Sequence, residues 1–84
     1  MSRDSVPTCR LTVHTAADPG ALVRVLHPFV GRNLIPRSVS ALCDAEQGRI
    51  AISLELTGID TAIVERICLA LGNHPSVLSA AVCR

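Results

Sequence analysis

The 84-residue sequence has no tryptophan, no tyrosine and a single aromatic residue, Phe29. It also has no lysine. All eight basic residues are arginine, at positions 3, 10, 24, 32, 37, 49, 66 and 84, and they are scattered. A duplex binder carries a basic stripe and a single-strand binder carries stacking aromatics. With neither present and a net charge of +1, nucleic acid is excluded as a partner. The longest uncharged run, from Ile67 to Cys83, is interrupted by Gly72-Asn73-His74-Pro75. A membrane span needs about 20 continuous apolar residues, so none is expected. Met1-Ser2-Arg3-Asp4-Ser5 leads into no apolar stretch, which predicts no signal peptide and a cytoplasmic location by default. The four cysteines, at 9, 43, 68 and 83, show no Cys-x-x-Cys pair and no histidine placed to complete a metal cluster. No metal and no cofactor is expected. Without a secretory signal an even cysteine count is weak evidence for disulfides. Each cysteine lies in an apolar run, which predicts four buried thiols packing as small hydrophobes.

What is present is aliphatic. Hydrophobic residues make up 49% of the chain and mean hydropathy is +0.43, too apolar for intrinsic disorder. The length allows one domain. Residues 1–7 read as a flexible N-terminal tail and residues 8–84 as a single domain. Arg10-Leu11-Thr12-Val13-His14 alternates as a half-buried strand does. Asp18-Pro19-Gly20 then opens a helix, with Asp18 as N-cap and Pro19 at the first helical position. Leu22, Val25, Leu26, Phe29 and Val30 form its apolar face. Pro28 falls inside it, and Gly31 is its expected stop.

Leu34 to Cys43 reads as a second strand, with Val39, Ala41 and Cys43 on one side and Ser38, Ser40 and Leu42 on the other. Pro36 near its start predicts an edge strand, since proline cannot donate to a ladder. Asp44 to Gly48 is a hairpin loop. Arg49 to Thr57 alternates clearly, with Ile50, Ile52, Leu54 and Leu56 inward. A second helix, begun at Gly58-Ile59-Asp60-Thr61, runs to about Leu71 and buries Ile63, Val64, Ile67, Cys68 and Leu71. Val77 to Cys83 is a fourth strand whose facing is open, because apolar residues occur at both parities. The order β-α-β-β-α-β predicts an α+β fold, a ferredoxin-like βαββαβ sandwich. Its four-stranded antiparallel sheet has the order 4-1-3-2, with two helices on one face. The other face is left uncovered, showing Arg10, Thr12, His14, Ser38, Ser40, Ala51, Ser53 and Glu55.

The stretch from Thr15-Ala16-Ala17-Asp18-Pro19-Gly20 through Ala21-Leu22-Val23-Arg24-Val25-Leu26 resembles the first loop and helix of ACT domains, small regulatory βαββαβ modules. Gly31-Arg32-Asn33-Leu34 resembles the Gly-x-Asn-Ile stretch of acetolactate synthase small regulatory subunits. The resemblance covers about residues 9–83. It implies a ligand-responsive module that pairs with itself, as a homodimer or larger, and binds a small amino acid, branched-chain by that likeness. It further implies a thiamine-diphosphate-dependent catalytic subunit as partner. The ligand-binding residues it implies are Ala17, Asp18, Pro19, Gly20, Ala21 and Asn33. Ala17 departs from the pattern, which has an asparagine there. The alternative reading is an interaction module that dimerises but has lost ligand binding.

Catalysis finds little support. His14, His27 and His74 are the candidate bases, and local sequence places no nucleophile beside any of them. Acylphosphatases share the element order, but Asp18-Pro19 stands where their anion loop would be. A copper chaperone needs cysteines in the first loop, and Thr15 to Gly20 has none. Asp18 has two compatible roles, a helix cap and a contact to a ligand ammonium. In the resemblance, the ligand carboxylate meets the backbone N–H groups of Gly20 and Ala21 at the start of the helix. Asn33 suits a left-handed turn as well as a ligand contact.

Overall fold

The computed structural model describes residues 8–83; the tail expected over residues 1–7 lies outside them. The elements run β1 (Thr8–Ala16), α1 (Ala21–Gly31), β2 (Ser38–Asp44), β3 (Arg49–Thr57), α2 (Thr61–Gly72) and β4 (Val77–Cys83). The sheet order is β2-β3-β1-β4, and every pairing is antiparallel. This is the expected sandwich, with β2 on an edge.

The core lies between the sheet and the helices. Leu11 and Val13 of β1, and Ile52, Leu54 and Leu56 of β3, pack against Val25 and Phe29 of α1 and Val64, Ile67 and Leu71 of α2. Alternation in β1 and β3 therefore reads directly as burial. In α1 the buried stripe is narrower than expected. Ala21, Val25 and Phe29 are buried and Leu26 is half-buried. Leu22 and Val30 face solvent, Val30 at 72% exposure.

Three boundaries differ from expectation. Helix α1 begins at Ala21 with Gly20 as N-cap, so Pro19 stands in the turn before it. Asp18 instead closes a tight turn of its own, its Oδ1 accepting from the N–H of Gly20 at 2.8 Å. The helix passes Pro28 and includes Gly31; the left-handed residue that ends it is Asn33, at φ 62°. Pro36 lies before β2, which starts at Ser38.

The open facing of β4 has a physical cause. Its register against β1 shifts between His14 and Thr15, where Ser79 and then Val77 are the partners. Leu78 is the extra residue of a bulge. The shift lets Val77 share the inner face with Ala80 and Val82 despite their opposite parity.

The expectation of four buried thiols is corrected. Cys9 is buried and Cys68 half-buried, but Cys43 and Cys83 are exposed: Cys43 lies on the wholly exposed edge strand β2, and Cys83 pairs with the exposed Arg10 on the uncovered face of the sheet. Every residue of β2 is exposed, including Val39 opposite Leu54 and Ala41 opposite Ile52. No helix among the described residues is long and apolar enough to cross a membrane.

Candidate ligand site

The loop that joins β1 to α1 carries most of the expected site, and four hydrogen bonds fix where it leaves the sheet and enters the helix. Thr15 is fully buried and donates its hydroxyl to the carbonyl of Ser76 at 2.9 Å. The N–H of Ala16 donates to the same carbonyl at 2.9 Å. Ala17 N–H donates to the carbonyl of Gly48, in the β2–β3 hairpin, at 2.9 Å. At the far end, Ala21 N–H donates to the carbonyl of Asp18 at 3.0 Å.

Ala17, Asp18, Pro19 and Gly20 are all exposed. Ala21 is fully buried, so only its backbone faces the loop. The two donors expected to meet a ligand carboxylate are thus both engaged within the chain, one by the side chain of Asp18 and one by its carbonyl. No side chain caps α1, which leaves the N–H groups of Leu22 and Val23 as the uncapped donors of its first turn.

Arg24 is the residue that the sequence did not single out. One helical turn in, its Nη2 lies 3.2 and 3.3 Å from the two carboxylate oxygens of Asp18. Its Nη1 is buried with no hydrogen-bond partner. Assigning Asp18 to capping masked this pairing, because a cap leaves the carboxylate no reason to reach six residues on. Gly20 has an ordinary backbone (φ −91°), so a left-handed conformation is not what requires glycine there. A Cβ on Gly20 would stand 3.3 Å from Asp18 Oδ1, a tight contact that this partly exposed side chain relieves by a small shift.

Asn33 stands at the other end of α1. Eleven helical residues separate it from the loop, about 16 Å at 1.5 Å per residue. One copy of the chain therefore does not bring Asn33 to Gly20. A groove of about 320 Å³ lies elsewhere, between α2 and β4, lined by Glu65, Cys68, Leu69 and Val82. Burial first, and then the charge of Glu65, pushes the Cys68 thiol above its ordinary value. No group of histidine, cysteine and carboxylate among the described residues is arranged to hold a metal.

No protein-family model matches the sequence, and no curated protein matches it. Solved structures do match in shape. An uncharacterized protein of Thermotoga maritima, TM1266, superposes with a TM-score of 0.75 at 16% identity, over 92% of this chain and 94% of that one. The ACT domain from GTP pyrophosphokinase of Chlorobium tepidum superposes with a TM-score of 0.72 at 9% identity, over 93% of this chain and 86% of that one. The chain has the fold of an ACT domain. The same fold recurs inside a formyltetrahydrofolate deformylase of Pseudomonas putida (TM-score 0.72, 13% identity). There the match covers 93% of this chain but only 29% of the enzyme. At these identities the ACT likeness concerns the fold.

Proposed function

We propose that the chain is a non-catalytic regulatory module that binds a small amino acid between two copies of itself and modulates a partner enzyme. The observation that carries this reading is the ACT fold over nearly the whole described chain, with a backbone-lined loop at the head of α1. The resemblance in Gly20-Ala21-Leu22 and Gly31-Arg32-Asn33 favours a branched-chain amino acid, and a thiamine-diphosphate acetolactate synthase as the partner.

Self-association supplies what one copy lacks. Strand β2 offers seven residues of exposed edge with no bulge, and charge only at its last residue, Asp44. Natural sheets usually blunt such an edge. The other edge, β4, has the blunting device, its bulge at Leu78. Antiparallel pairing of β2 with its counterpart sets the two α1 helices side by side and reversed. The loop of one copy then approaches the Asn33 end of the other, and a C₂ axis closes the assembly.

The test is calorimetry of the purified chain against each of the twenty amino acids. Saturable heat with valine, leucine or isoleucine is the expected result. No heat with any of them at millimolar concentration overturns ligand binding. The alternative, a dimerising module without a ligand, would then stand. It is favoured by Ala17, which offers no side-chain polar group, and by the engagement of Gly20 N–H with Asp18.

A further inference from the structure

We propose that Asp18 is an internal competitor for the carboxylate of the ligand, an autoinhibitory contact that the ligand must displace. The inference rests on the reading above, that the loop takes a small carboxylic acid. Its observations are independent of that reading. A carboxylate already occupies the head of α1, and it belongs to the chain. Asp18 Oδ1 accepts from Gly20 N–H at 2.8 Å, and both oxygens lie against Arg24 Nη2 at 3.2 and 3.3 Å. The missing Cβ of Gly20 is the space into which this oxygen fits, at 3.3 Å.

The contact is built to open. The Asp18 side chain is 36% exposed and can turn into water without disturbing the core. Arg24 holds it end-on through one nitrogen, while Nη1 stays buried and unpartnered. A guanidinium grips a carboxylate best through two parallel N–H···O bonds, so this pairing is below full strength. An incoming carboxylate takes over the N–H of Gly20, and Asp18 swings out. Only the fraction of molecules with Asp18 displaced is competent to bind, and apparent affinity falls by that fraction.

The direction of effect separates this role from a contact to the ligand ammonium. Wild type, Asp18→Ala and Asp18→Asn are titrated calorimetrically with L-valine and with 3-methylbutanoate, a branched carboxylate without an ammonium. Asp18→Ala should bind both probes about three- to tenfold more tightly, the scale of one exposed ion pair and hydrogen bond. Asp18→Asn should fall between, since its amide oxygen still accepts from Gly20 N–H but no longer holds Arg24 by charge. It also serves as the reading should Asp18→Ala fail to fold. Valine binding that is unchanged or weaker in a folded variant overturns the proposal and leaves the regulatory reading intact. Absence of binding by wild type and both variants overturns the two together.

Discussion

The buried hydroxyl of Thr15 donates to the carbonyl of Ser76 across 61 residues of sequence. That carbonyl also accepts from Ala16 N–H, so the end of β1 is tied to the turn that precedes β4. The loop that follows is anchored there on one side and at Gly48 on the other.

Thr15→Val keeps the shape and removes only the hydroxyl. The carbonyl of Ser76 retains its bond from Ala16, so no acceptor is orphaned. The expected loss is about 0.5–1.5 kcal/mol, the net worth of one hydrogen bond, read as a lower urea midpoint with an unchanged slope. An unchanged midpoint would show that the tie contributes nothing.

Asn33 ends α1 with a left-handed backbone, at φ 62°. Asn33→Ala should destabilise the chain by about 1 kcal/mol, because alanine keeps the Cβ that crowds the carbonyl in that conformation but lacks the short polar side chain that compensates for it. Asn33→Gly should be neutral or mildly stabilising. Denaturation of the two variants side by side checks the ordering, and equal midpoints would contradict it.

The exposed β2 edge predicts a dimer or larger at micromolar concentration by sedimentation. Val39, 42% exposed and opposite Leu54, lies on the strand that pairs in this arrangement. Val39→Lys should shift the species toward 8.9 kDa, as edge lysines oppose strand pairing. A wild-type monomer across that concentration range would remove the basis for a shared site.

The thiols should react in order of exposure. Cys43 and Cys83 are accessible, Cys68 is half-buried and Cys9 is buried. Iodoacetamide should modify the first two readily, Cys68 slowly and Cys9 only on unfolding. Reductant and chelator should leave the melting temperature unchanged, and a large drop under either would reveal a disulfide or metal.

Alkaline pH should weaken the fold through Cys68. Burial and Glu65 raise this thiol above its ordinary value of 9.0 in the folded chain. The unfolded chain therefore ionises first, and stability present below that value is lost as pH rises through it. Urea midpoints from pH 7 to 10, compared between wild type and Cys68→Ala, isolate the effect. Parallel curves would contradict it.

Which parts of this structure were legible in the sequence follows from the range of the forces involved. Ile50, Ile52, Leu54 and Leu56 announce β3 because period-two burial acts on one strand at a time. Pro36 rightly placed β2 at an edge while lying outside it. The facing of β4 was hidden because the bulge at Leu78 depends on the partner strand and leaves no local mark. Val30 was expected in the core because its spacing suits a wide helical face, yet the sheet covers only the stripe of Ala21, Val25 and Phe29. At the loop, the residues were legible and their partners were not. Asp18 reads as a helix cap until Arg24 is seen to stand beside it.

The central position of β1 bears on how the chain is made. Its neighbours are β3 and β4, residues 49–57 and 77–83, and synthesis delivers β1 first. While the ribosome is still adding α2, the β2–β3 hairpin can close, but Leu11 and Val13 have only half their lateral support. The first strand is sealed last, when Ala80 and Val82 emerge to pair with Val13 and Leu11. Until then β1 of a nascent chain is an aliphatic strand with one edge unpaired. Pairing of β4 with β1 is therefore the committing event of folding.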